Sequence, residues 1–154
     1  IAAGVVLQQR KAVPDRRREQ DQRGRHRATG RRPCGPVVAE ARDAHAQLAE
    51  DLPGAGLLVV TSADLLERGW RAGRGPHSKS HIGRLLAELP DEAGLVTVLD
   101  AHPATLSWIA GVGRHRLQAI GVDRFGQSGD IPDLYRLHGI DADAILGAVA
   151  RIVR

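Results

Sequence analysis

Three short runs, GLLVVT (56–61), GLVTVLD (94–100) and HRLQAIGV (115–122), limit the folds open to this chain more than any other feature. The first two are apolar at nearly every position. Successive side chains of a strand point to opposite faces, so a strand without a polar face needs cover on both. The stretches between the runs have helical spacing. VVAEARDAHAQLAEDL places Val37, Ala41, Ala44, Leu48 and Leu52 on one face, and Pro53-Gly54 ends it. Ser62 is placed to cap a helix carrying Leu65, Leu66 and Trp70, and Ser80 or Ser78 to cap one carrying Ile82, Leu85, Leu86 and Leu89. Pro103 opens a helix with Leu106, Ile109 and Ala110 that runs to Gly111 and Gly113. Asp130 caps a short helix packed through Leu134, Tyr135 and Leu137 and stopped at Gly139. Asp141 caps the last helix, whose apolar face is Ile145, Leu146, Val149, Ile152 and Val153. Strands alternating with helices in this order predict an α/β domain: a mainly parallel, three-layer sheet with helices on both faces. AAGVVL (2–7) is a fourth, remnant strand in this reading.

The first 36 residues differ in character. Residues 1–35 hold ten Lys and Arg against three acids, a net +7, while the rest of the chain nets −3, so the basic pI belongs to one end. Residues 8–36 carry almost no apolar side chains that could offset the entropy of ordering, which predicts an irregular or disordered segment at 1–36 and a folded domain at 37–154. Three readings of this segment stay open: an Arg-rich arm for nucleic acid or anionic surfaces, a solvated linker, or an out-of-frame translation of a GC-rich gene. It has no aromatic residue for base stacking, so nucleic acid is the less favoured partner. No apolar run reaches membrane-spanning length, no secretory leader is read, and the single cysteine, Cys34, fits a cytoplasmic protein.

Chemistry in a parallel sheet belongs beyond the carboxyl ends of the strands. Three segments emerge there: Thr61-Ser62, Asp100-Ala101-His102 and Asp123 to Asp130. His102 sits at a helix start, either as an anion contact or as a cap or interface residue. A Ser62–His102–Asp123 (or Asp130) triad can be drawn, which keeps a small stand-alone α/β hydrolase or transferase as an alternative, but no GxSxG elbow supports it. Neither GVGRH nor GRG is a dinucleotide fingerprint, no phosphate-binding loop is present, and the seven His lack metal-ligand spacing. In the loop DRFGQSGD (123–130), Phe125 is the sole phenylalanine, Gly126 and Gly129 permit unusual backbone angles, and Gln127 and Ser128 are free for a ligand or a neighbouring subunit.

LVTVLDAHPATLSWIAGV and IGVDRFGQSGDIPDLYRLHGIDADAIL, preceded by GLLVVTSADLLERGW, resemble as an ordered set the C-terminal domain of transketolase-type thiamine-diphosphate enzymes. The resemblance is strongest to the homodimeric bacterial decarboxylase component of pyruvate dehydrogenase, covers about residues 37–154 and fails over 8–36. It implies a parent that decarboxylates a 2-oxoacid with thiamine diphosphate and Mg²⁺ and passes the acyl group to a lipoyl-bearing acyltransferase. In that family two other domains hold the cofactor, one through a GDG motif that this chain lacks, and the C-terminal domain is generally non-catalytic and buttresses the dimer. The resemblance therefore implies no cofactor in this chain, no activity of the chain alone, and partners in the parent's other domains and its homodimer mate. His102, Phe125, Gln127 and Ser128 are the interface candidates.

Overall fold

A computed structural model describes residues 37–73, 80–124 and 126–152 of the chain. The element order is α1 (Val37–Asp51), α2 (Ala63–Gly73), α3 (His81–Leu86), β1 (Gly94–Leu99), α4 (Ala104–Ser107) continued by a 3₁₀ turn (Trp108–Gly111), β2 (Arg116–Gly121), α5 (Ile131–His138) and α6 (Ala142–Ile152). Strands β1 and β2 pair in parallel, from Gly94 opposite Arg116 to Leu99 opposite Gly121. The chain is thus α/β, built among the described residues on a small two-stranded parallel sheet.

All six residues of β1 are buried. Val96 and Val98 join one core cluster with Ala41, Ala44 and Leu48 of α1 and Ile145, Ala148 and Val149 of α6. Leu95 and Leu99 join a second, with Ile82 and Leu86 of α3, Leu106 of α4 and Ile109 of the turn. The alternation follows from strand geometry. Each fully buried Leu or Ile contributes about 1.5–3 kcal/mol. Strand β2 is mostly half-buried; its Leu117 packs on the second cluster and its Ile120 on the first.

Local chemistry fixes the helix ends. Ser80 Oγ accepts from Gly83 N–H at 3.1 Å, and Asp141 Oδ1 from Ala144 N–H at 3.1 Å, both as N-caps. The N–H of Leu65 reaches Ser62 Oγ at 3.4 Å. Gly139 ends α5 with φ 62°, while Gly139 N–H and Ile140 N–H bond to the carbonyls of Arg136 (3.2 Å) and Tyr135 (2.9 Å). That is the Schellman pattern, with Ile140 fully buried behind it. Glu40 of α1 adds a long-range cap, its Oε2 accepting from Ala142 N–H at 3.0 Å.

The structure departs from the sequence reading in several places. Among the described residues GLLVVT forms no ladder, and Leu57 makes a single bridge. Its side chains still alternate, Leu57 and Val59 toward the first cluster and Leu58 and Val60 toward the second. An unbroken apolar run therefore reports cover on two sides. Asp130 occupies the N-cap of α5 in an extended conformation, but its side chain makes no capping bond. Pro132, at the second helical position, removes one N–H that such a cap would bind. Gly129 keeps an ordinary φ; only Gly126 and Gly139 are positive among the described residues. Leu65 and Leu137 are 64% and 60% exposed rather than packed. The AAGVVL strand and all of residues 1–36 lie outside the described residues, as does Val153. Among the described residues no helix is long and apolar enough to cross a membrane.

Two substitutions test this packing with opposite signs. A Cβ at Gly121 would stand 2.5 Å from the Ala101 carbonyl oxygen and 3.1 Å from Pro103, so Gly121→Ala is expected to cost about 1–3 kcal/mol in urea unfolding. Thr97, fully buried in β1, has a hydroxyl with no hydrogen-bond partner among the described residues. Thr97→Val is expected to stabilise the chain by about 1–3 kcal/mol in the same titration, because it removes an unmet polar group at nearly constant shape.

Candidate functional site

Parallel strands deliver their carboxyl ends to one edge, and there the structure has an open cleft of about 460 Å³. Asp100, the first residue after β1, lies on one side. Val122 and Arg124, just past β2, lie on another. The chain then turns through Gly126, whose φ of 105° suits glycine, and brings Gln127 and Ser128 to the opening. Ile131, Leu134, Tyr135 and His138 form the remaining wall. They are the i, i+3, i+4, i+7 stripe of α5.

The ordered polar contact in the cleft is the Tyr135 hydroxyl donating to Asp100 Oδ2 at 3.1 Å. Tyr135 is 5% exposed, whereas Asp100 is exposed. Burial, then the Asp100 carboxylate and, less, Glu40, push the phenol well above the usual tyrosine value of 10.0. Among the described residues Arg124 has one ionic neighbour, Asp123, at 3.9 Å, with both side chains mostly exposed. Such a pair is weak. Gln127, Ser128 and His138 make no side-chain hydrogen bond among the described residues.

The sequence-predicted candidates separate. Gln127 and Ser128 are exposed and line this cleft. His102 does not line it: it is exposed at the start of α4, where Nδ1 accepts the Ala104 N–H at 3.2 Å, which is a capping role. Phe125 lies outside the described residues. Ser62 lines a different cleft, of about 330 Å³, with Val60, Leu66 and His81, and neither His102 nor Asp123 lines that one. A third cleft, of about 530 Å³, lies where Asp91 and His115 precede the strands. It is at the amino end of the sheet, opposite to where parallel strands place ligands. Sequence reasoning missed the grouping of Asp100, Arg124, Tyr135 and His138. The signal was the apolar-to-polar stripe 131, 134, 135, 138 facing the residue after each strand. Among the described residues no three His, Cys, Asp or Glu gather as metal ligands.

Comparison with protein-family models, with curated proteins and with solved structures returns no match.

A titration tests the Tyr135–Asp100 contact. A phenol whose pKa is raised on folding holds its proton more tightly in the native state. Its contribution is whole below the unfolded value of about 10 and is lost as pH climbs beyond it. Tyr135 is the chain's one tyrosine, so phenolate absorbance belongs to it alone. The absorbance is expected to stay flat through pH 10 and to rise only as structure is lost. Tyr135→Phe is expected to lower stability by about 1 kcal/mol at neutral pH, measured by urea unfolding.

Proposed function

We propose that residues 37–154 are the C-terminal supporting domain of a thiamine-diphosphate-dependent 2-oxoacid dehydrogenase of the pyruvate-decarboxylating kind, and that its task is to hold the parent's dimer together. The three-layer helix–sheet–helix arrangement of that domain belongs to the same proposal. The sorting of alternate β1 residues into clusters with α1 and α6 on one hand and α3 and α4 on the other supports it.

The observation that carries the reading is where the ordered motifs fall. VLDAHP crosses from β1 to α4, and GVDRFGQSGDIPDLY runs from the end of β2 into α5. Both leave the sheet at one edge, since Val122 N–H bonds the Ala101 carbonyl at 2.9 Å. Beside them stand Ile131 and Leu137 of α5, 53% and 60% exposed, preceded by Asp130 at the N-cap and by Gln127 and Ser128 in the loop, which are exposed too. Large exposed apolar side chains rimmed by polar ones fit an association surface. His102, exposed at the start of α4, is read as part of the same surface. The parent's thiamine diphosphate and Mg²⁺ would reside in its other domains, its product would go to a lipoyl-bearing acyltransferase, and the setting would be cytoplasmic.

The test is complementation. A homodimeric pyruvate dehydrogenase decarboxylase component truncated before its last domain is mixed with this chain. Co-elution as a dimer of the expected mass and recovered decarboxylation are expected, and Leu137→Asp should abolish both without changing the chain's melting temperature. Absence of any co-elution would sink the reading.

A further inference from the structure

The cleft beyond β1 and β2 presents two opposite charges and an apolar wall to whatever enters it. The Tyr135 hydroxyl holds Oδ2 of Asp100 at 3.1 Å, and the other carboxylate oxygen has no partner among the described residues. Arg124, whose one ionic neighbour among the described residues is Asp123 at 3.9 Å, has its guanidinium fork open there to a two-point contact with a carboxylate. Gln127 and Ser128 stand at the same opening and make no side-chain hydrogen bond among the described residues. Val122, Ile131 and Leu134 form the apolar wall, and Ile131 is 53% exposed, so covering it gains hydrophobic free energy. The volume, about 460 Å³, falls in the range of small-molecule sites.

From this we infer that the cleft binds a small zwitterion with an apolar side chain, an α-amino acid of the leucine type. Charge matching selects that class. A simple carboxylate meets Arg124 but is repelled by Asp100. A simple amine meets Asp100 but is repelled by Arg124. A molecule carrying both groups on one carbon leaves neither side chain unmatched, and its hydrocarbon covers Ile131 and Leu134. His138, the remaining titratable group of the lining, lies two helical turns along α5 from Ile131, at the far end of the stripe. The site stands apart from the supporting-domain proposal. Direct binding to the chain is read here, association there, and either can fail alone.

The experiment is calorimetry and amide chemical-shift mapping on the full chain with four probes: L-leucine, leucinamide, 4-methylpentanoate and glycine. Leucine is expected to bind and to shift amides at Asp100, Val122 and residues 126–131. Leucinamide, lacking the carboxylate, and 4-methylpentanoate, lacking the ammonium, should each bind at least about tenfold more weakly, as should glycine. Arg124→Gln, at a mostly exposed side chain, should leave melting unchanged and remove the preference for leucine over leucinamide. Asp100→Asn should remove the preference over 4-methylpentanoate. Silence with leucine at tens of millimolar, equal binding of all four probes, or shifts confined to another surface would overturn the inference.

Discussion

Strand β1 is the member on which everything else rests. Its six residues are buried, and neighbours in sequence serve opposite faces of the sheet. Removing either set of helices would expose one set of side chains, so the strand requires both. Its first residue is glycine for a packing reason: a Cβ at Gly94 would come 2.6 Å from Ile152 Cγ2 at the end of α6. The last helix is therefore seated against the start of β1, and elements far apart in sequence are locked at one point. Thr97, midway along, is the cost of the arrangement, a hydroxyl carried into a core without a partner among the described residues.

The helices on the first face are tied by charge as well as by packing. Ala41 and Ala44 of α1 and Ala148 of α6 are fully buried small residues, which let the two backbones approach. Glu40 then reaches the start of α6 and accepts the Ala142 N–H, next to the local cap from Asp141. A carboxylate there also favours the helix dipole. The same Glu40 contributes to holding Tyr135 neutral, after burial and Asp100. A polar seam thus runs from α1 through the start of α6 to the cleft, and it keeps the phenol a hydrogen-bond donor. On the second face, Trp70 of α2 stacks on Trp108 with ring centres 5.2 Å apart and planes 24° apart, joining helices from distant parts of the chain.

Much of this was legible because local rules and the global fold agree. Ser62, Ser80 and Asp141 bond the N–H groups that capping chemistry assigns them, and Gly139 takes the left-handed angle its position implies. The faces of α1 and α6 follow their spacing. What failed depended on partners distant in sequence. GLLVVT is extended and two-sided, but pairing needs a neighbour that composition does not name. Leu65 and Leu137 fit a helical pattern yet face outward, because apolar spacing cannot say which of two apolar stripes meets the core. Asp130 looked like a cap until Pro132 is counted. Tyr135 was readable as packing, while its hydroxyl contact with Asp100, 35 positions away, was not.

The cleft has a single geometric origin. Leu99 and Gly121 are partners at the ends of β1 and β2, so the two exits leave the sheet side by side. After β1 the chain crosses over the end of β2, where Val122 N–H bonds the Ala101 carbonyl. That crossing needs a residue without a Cβ at 121, since the carbonyl oxygen passes 2.5 Å from where one would sit. The crossing sets Asp100 at the edge, where the Tyr135 hydroxyl reaches it, and turns His102 away to cap α4. With Asp100 fixed on one side and Arg124 carried out by β2 on the other, the space between is bounded by the inner stripe of α5. The placement of Asp100 at the mouth of the cleft is thus a consequence of strand register and one glycine.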